Sequence, residues 1–315
     1  MNPVILKLGP FQVHWYGLLI VGGAVFAAYL ASLEARRRGE DPEHIWNVLT
    51  WCLVFGIIGA RLYHVFSTPT GNFAGWAYYR EHPIEIIKFW DGGFRGLGIF
   101  GAVLGGVFAM ILYVKALARD AEGKRVHLSL LRWLDIPAPG LILAQAIGRM
   151  GNWINQELYG PPTSLPWAFR INPTYMCQEP TGSPMACGVP SRLTTEVRAW
   201  YAANGFHPTF FYEAIWNVAG FALLWILGRR LYRWLRDGDV FCMYLIWYGV
   251  GRFWVEMLRP DAWRMGALAT AQWVAIGIFI VGMAGILVNH LLRRTPAAPV
   301  EPAADEAPAA EEVSS

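Results

Sequence analysis

The run Gly148-Arg149-Met150-Gly151-Asn152-Trp153-Ile154-Asn155-Gln156-Glu157-Leu158-Tyr159-Gly160 gathers a guanidinium, two asparagine amides and a carboxylate at the end of an apolar stretch. Small glycines flank the arginine and keep its approach open. A guanidinium offers a fork of donors that matches phosphate oxygens, and it stays charged. Placing an arginine near the centre of a membrane span costs roughly 2.5–3.5 kcal/mol, so such a residue faces the bundle interior and has a reason to be there. Arg61, Arg252 and Glu256 are placed in the same way, with Asp135 and Glu213 near the ends of apolar segments. Arg252 and Glu256 stand four apart on one helical face, where they could simply neutralise each other. Arg149 has no acidic neighbour in the chain before Glu157. Two arginines from different segments at one membrane depth make a clamp for a phospholipid phosphate.

Proton acceptors by residue type are His14, Tyr16, His207 and Glu157. His14-Trp15-Tyr16 opens the first apolar block, which suits a base at the membrane surface and equally suits an aromatic belt at headgroup depth. The remaining histidines are scattered and no Cys-x-x-Cys occurs, so no metal site is read. Gly-rich nucleotide loops are absent. Cys52 and Cys242 lie inside apolar blocks as small core residues. Cys177 and Cys187 sit in a Pro/Gly-rich loop; in an oxidising compartment they are placed to bridge, and otherwise they are free thiols.

Membrane helices must position these groups. Hydrophobic residues make up 55% of the 315 and charged residues 16%, against roughly 25% charge in an average soluble domain. The apolar residues fall into blocks of bilayer-crossing length. Seven spans are expected, near Trp15–Leu33, Ile45–Phe66, Gly96–Val114, Leu134–Ile154, Pro208–Leu227, Val240–Leu258 and Thr270–Leu292. The first block follows a single lysine, Lys7, and precedes no small-residue cleavage site, so it reads as a span rather than a cleaved signal. Basic residues concentrate in alternate loops: Arg36 to Arg38, Lys115 to Arg132, Arg229 to Arg236, and Arg293-Arg294. The positive-inside rule then puts the N-terminus outside and the C-terminus in the cytoplasm.

Residues 1–294 read as one transmembrane domain with an irregular extracytoplasmic cap at about 155–207, carrying one short helix near Thr194–Ala203. The Pro-, Ala- and Glu-rich residues 295–315 read as a disordered acidic cytoplasmic tail. Gly98, Gly101, Gly105 and Gly106 recur at helical spacing in the third span and predict close approach of another helix.

With these residues in view, the chain resembles the prolipoprotein diacylglyceryl transferase family. The Gly148–Gly160 run is similar to that family's signature, with Trp153 where phenylalanine is usual. His14-Trp15-Tyr16-Gly17, Trp90-Asp91-Gly92-Gly93, Asp135 with Pro139, His207-Pro208 with Tyr212-Glu213, and Tyr248-Gly249 through Arg252, Glu256 and Arg259 follow in the family's order. The likeness covers roughly residues 3–290. One departure is that Gly92-Gly93-Phe94-Arg95-Gly96-Leu97-Gly98 lacks the histidine many members carry there, which leaves the base open.

The resemblance implies an all-α integral membrane enzyme of the bacterial cytoplasmic membrane. It would transfer diacylglyceryl from phosphatidylglycerol to the lipobox cysteine thiol of a prolipoprotein signal peptide, releasing glycerol phosphate, with no cofactor, metal or nucleic acid. Arg149 and Arg252 would be catalytic, one holding the phosphate and the other supporting the departing charge, with His14 and Tyr16 beside them. Asn152, Asn155, Glu157, Gly160 and Glu256 would shape the substrate site. Two other classes compete: a transporter or binding protein for an anionic lipid or solute, and a scaffold whose arginines merely pair with Glu213 and Glu256.

Overall fold

The computed structural model describes residues 2–8, 11–67, 75–87, 98–172, 199–200, 202–259 and 264–292. The Trp90–Gly93 motif, the histidine-free run up to Leu97, the Cys177/Cys187 pair and the acidic tail lie outside the described residues. The chain starts with an antiparallel hairpin, β1 (Val4–Leu8) and β2 (Phe11–His14). It passes directly into α1 (Trp15–Arg37), then α2 (Glu43–Phe66). Short α3 (Trp76–Tyr79) and α4 (Ile84–Ile87) precede α5 (Ile99–Leu112), which ends in a π-helical turn at Tyr113–Leu117. Next come α6 (Leu130–Asp135), α7 (Ala138–Asn155), α8 (Thr209–Arg230), α9 (Asp239–Met257) and α10 (Thr270–Leu292). A two-residue hairpin, β3 (Arg264–Met265) and β4 (Leu268–Ala269), leads into α10.

Six helical segments among the described residues are long and apolar enough to cross a membrane. The sixth expected span, α9, has 19 residues and carries Asp239, Arg252 and Glu256, and it falls outside that set. The expected fourth span differs in detail: the chain turns at Ile136 and Pro137 between α6 and α7. Proline lacks the N–H, so the hydrogen-bond ladder is interrupted there, while Ile136 and Pro137 both keep right-handed helical dihedrals and Leu130–Asn155 runs on as one crossing segment. α1 runs one turn past its apolar block because Glu34 holds Arg37 and Arg38 back along the helix. Large apolar side chains remain exposed along the outer faces, among them Ile20, Val21, Leu104, Ile215 and Ile280. In a soluble protein such a surface would drive association; here it faces lipid, and the molecule is an all-α integral membrane protein.

Inside, small residues set the spacing. α7 lies between α1 and α8, α10 packs on α9, and α2 pairs with α5. A methyl group at Gly101 or Gly105 would collide with the carbonyls of Gly59 and Phe55, so α2 and α5 meet backbone to backbone, as the glycine spacing predicts. Without a hydrophobic drive between helices in lipid, such close packing holds them together. Gly101→Val is expected to cost about 1–3 kcal/mol, read as earlier thermal unfolding in detergent. Gly106→Ala meets open space and should leave that transition in place.

One end of the bundle is tied by Asp135. Its carboxylate accepts the Gly238 and Phe241 N–H groups, both at 2.8 Å, and lies 3.5 Å from Arg38. These are free donors at the start of α9, so α6 caps a helix remote in sequence. The residue belongs to this end and not to the cluster around Arg149. Arg61 is likewise structural: it donates to the Ile86 and Glu85 carbonyls and lies over the Tyr79 ring, pinning α3 and α4 to α2.

Candidate active site

At the other end, α7 closes with a reversal. Gln156 adopts the left-handed conformation (φ 54°, ψ 46°), and Leu158 follows (φ 57°). That region costs a non-glycine residue about 1–2 kcal/mol. Gln156 is held there by its own side chain, whose Oε1 accepts the Asn172 N–H at 2.5 Å. The turn brings Glu157 back over the helix end, where its N–H donates to the Asn152 carbonyl at 3.0 Å. Asn152 and Asn155, three apart on one face of α7, then donate their amides to Glu157 Oε1 at 2.9 and 3.2 Å.

From there a ring of charges runs across three helices. Asn152 Oδ1 accepts from Arg149 Nη1 at 3.1 Å, and Arg149 Nη2 donates to Glu213 of α8. The other Glu213 oxygen lies 4.0 Å from Arg252 of α9. Arg252 pairs with Glu256 at 2.7 Å, and Glu256 with Arg259 at 3.7 Å. Arg259 and Arg149 both favour the ionised form of Glu157, which closes the ring. Glu213 and Glu256 are 8% and 5% exposed in their side chains, while Arg149 and Arg252 are 21% and 17% exposed. The carboxylates are therefore the deep members, and the guanidiniums are the faces a visitor would meet.

Close backbone contacts hold the ring in register. Tyr16, in the first turn of α1, lies against Gly151, where a side chain would run into its ring, and pairs with the Asn152 side chain. Trp216 of α8 and Trp247 of α9 stack at 4.3 Å, each indole N–H donating to the other's carbonyl, at 3.2 and 3.1 Å. Gly220 and Gly251 leave room for these two rings. The clamp sits one turn from Glu213 and next to Arg252, so it sets their separation. Gly160 is buried, with its N–H donating to the His207 carbonyl at 2.8 Å. A methyl group there would lie 2.9 Å from His207 and Thr209 and 3.0 Å from the Leu258 carbonyl.

Burial pushes the Glu157 carboxyl above the usual glutamate range, outweighing the Asn152 and Asn155 hydrogen bonds and the pull of Arg149 and Arg259. A raised folded-state value means the folded protein keeps a proton that the unfolded chain has lost. The group thus adds stability below the unfolded value, and that contribution fades as pH rises through the folded one. From about pH 4, the ordinary glutamate range, upward, wild type should lose thermal stability relative to Glu157→Gln. Parallel melting curves for the two proteins would refute this account of the carboxyl.

Of the residues singled out from the sequence, Arg149, Asn152, Asn155, Glu157, Arg252 and Glu256 share this ring, with Tyr16 against it. His14 ends β2 at the entry to α1 and makes no capping hydrogen bond from its side chain. His207 pairs with the Tyr212 hydroxyl at 3.1 Å, which also accepts the Trp167 indole N–H. Glu213 is the central residue that sequence reasoning left outside the site. Its signal was an acidic residue just inside a span, directly after Tyr212. Arg149, lacking an acidic neighbour in the chain, finds its partner in a different helix. The pairing expected of a scaffold, arginines with Glu213 and Glu256, is also present.

Fold and site together define a multi-pass membrane protein with a charge-balanced polar ring at one end of its helices. The chain matches the family model for prolipoprotein diacylglyceryl transferase over residues 3–288 and belongs to that family. It is 36% identical over 283 residues to a phosphatidylglycerol–prolipoprotein diacylglyceryl transferase of Bifidobacterium adolescentis, covering 90% of this chain and 76% of the relative. A protein of the same name from Streptococcus agalactiae is 34% identical over 291 residues, covering 92% and 96%. Another from Frankia alni is 38% identical over 287 residues, covering 90% and 65%.

Proposed function

We propose that this protein transfers the diacylglyceryl group of phosphatidylglycerol to the lipobox cysteine of prolipoprotein signal peptides at the bacterial cytoplasmic membrane. The observation that carries it is the convergence of Arg149 and Arg252, from two helices, on Glu213, inside a chain that belongs to this family. In this reading the chain spans the membrane seven times, with the N-terminus outside and the basic loops in the cytoplasm. Residues 1–294 form the catalytic domain, 155–207 its outer cap and 295–315 a tail.

The substrate thiolate attacks the glycerol carbon that bears the phosphate ester. A carbon–sulfur bond forms, the carbon–oxygen bond breaks, and glycerol phosphate leaves with the bonding pair. Charge grows on the departing phosphate, where fixed donors in a dry site are worth most. Arg149 holds the phosphate and Arg252 supports the growing charge. Asn152 and Asn155 keep Glu157 in place, and Glu157 takes the thiol proton. That role suits a carboxyl raised above its ordinary range, because a base works best with a pKa near the operating pH. Tyr16 holds Asn152 from the first helix. Gly160 and Glu256 shape the site from behind, and His14 stands at its entrance.

The test is the purified protein in detergent with phosphatidylglycerol and a lipobox peptide. A mass gain of one diacylglyceryl unit on the cysteine, with phosphatidylglycerol and not with phosphatidylcholine, supports transfer. An unmodified thiol together with saturable phosphatidylglycerol binding would replace the enzyme with a lipid-binding protein.

A further inference from the structure

We propose a second anion site, for the phosphate of an anionic membrane lipid, at the end of the bundle remote from the ring. It lies between the last turns of α1 and α8, and it does not rest on the transferase reading. Glu34 is buried there, and its carboxylate is already taken by Arg37 and Arg38, at 2.5 and 2.8 Å. Arg38 is further shared with Asp135. Arg229 comes from α8 to the same place and is left under-neutralised. Its guanidinium reaches Glu34 only at 3.7 Å, beyond hydrogen-bond distance. Among the described residues its Nε is buried without an acceptor. A buried donor with no partner is costly, so an acceptor arriving from outside is favoured.

The surroundings identify the acceptor. Arg229 stacks on Trp225 at 3.5 Å, which presents the guanidinium flat along the helix surface. The crevice beside it is lined by Glu34, Arg38, Pro139, Leu224, Trp225 and Arg229. The adjoining turns expose Tyr29 and Leu33 on α1, and Leu223 and Ile226 on α8. A phosphate seated on Arg229 would have acyl chains lying along these residues. Arg37 is 32% exposed in its side chain and Arg229 36%, so both remain open to such a headgroup. Guanidiniums at a span end attract anionic lipid, and an indole belongs at headgroup depth.

The test is lipid titration of the full-length protein in detergent, read as retained lipid by native mass spectrometry and as thermal shift. The probes are phosphatidic acid, phosphatidylcholine and inorganic phosphate. Wild type should retain phosphatidic acid over phosphatidylcholine. Arg229→Gln should weaken retention roughly fivefold and Arg37→Gln/Arg229→Gln roughly 25-fold, at about 1 kcal/mol per arginine. Arg149→Ala should leave this component in place, which separates it from the ring. Should Arg229→Gln unfold, Arg229→Lys, which keeps the charge and loses the fork, should show a smaller loss. Retention unchanged in the arginine variants overturns the proposal. So does protection by inorganic phosphate equal to that by the lipid, since the site would then be one for a soluble anion.

Discussion

Arg149→Ala is expected to lower kcat/KM for diacylglyceryl transfer by roughly 10²–10³, the usual effect of removing one donor aimed at developing charge. Insertion and helical content should stay intact, because the residue is partly exposed and its neighbours keep other partners. Asn152 still donates to Glu157, and Glu213 still faces Arg252. Arg149→Lys is the sharper variant. It keeps the charge but loses the planar fork that reaches Asn152 and Glu213 at once, so it should recover only part of the rate. Transfer in Arg149→Ala within threefold of wild type would remove the phosphate clamp from the mechanism.

The second large effect belongs to Glu213. It is buried, and it stands between two guanidiniums from two other helices. Glu213→Ala should destabilise the protein by about 3–5 kcal/mol, since breaking a buried pair strands its partner's charge. Transfer should fall as well, because Arg149 and Arg252 lose the group that brings them together. In the double variant Arg149→Ala/Glu213→Ala the stranded charge is gone, so the two losses should sum to less than their separate values. Detergent unfolding curves of the four proteins measure this coupling directly. Strict additivity would mean that the contact does not organise the site.

The architecture was legible to the extent that bilayer physics writes it into composition. Thr270–Leu292 reads as the same span from hydropathy and from the structure, and Asp239–Met257 lies within a residue of its expected limits. The glycine spacing of the third span announced a close helix contact, and the structure supplies α2 as the partner. Less visible were features that depend on two segments meeting. The Trp216–Trp247 clamp looks in sequence like two more interface aromatics, and nothing local says that each indole will find the other's carbonyl. Glu213 read as a residue at a span end until α7 supplied Arg149. The reversal at Gln156 was hidden because a left-handed helix end is usually marked by glycine, and here a glutamine serves. The N-terminal hairpin, with only five- and four-residue strands, lies below the length at which alternation is informative.

The ring holds three arginines and three glutamates, so with every member ionised its sum is zero. Such a site resembles an ion exchanger already loaded with its own counterions. On the proposed mechanism a lipid phosphodiester enters with a single negative charge and must compete with Glu213 and Glu256 for the guanidiniums. The phosphomonoester that leaves carries nearly two charges at neutral pH, and by then Glu157 has taken the thiol proton, so three guanidiniums face two carboxylates. Capture of the donor is thereby weakened by the ring's own counterions, while the spent headgroup is held until Glu157 gives up its proton. Glycerol phosphate should accordingly be a product inhibitor of the reaction that makes it.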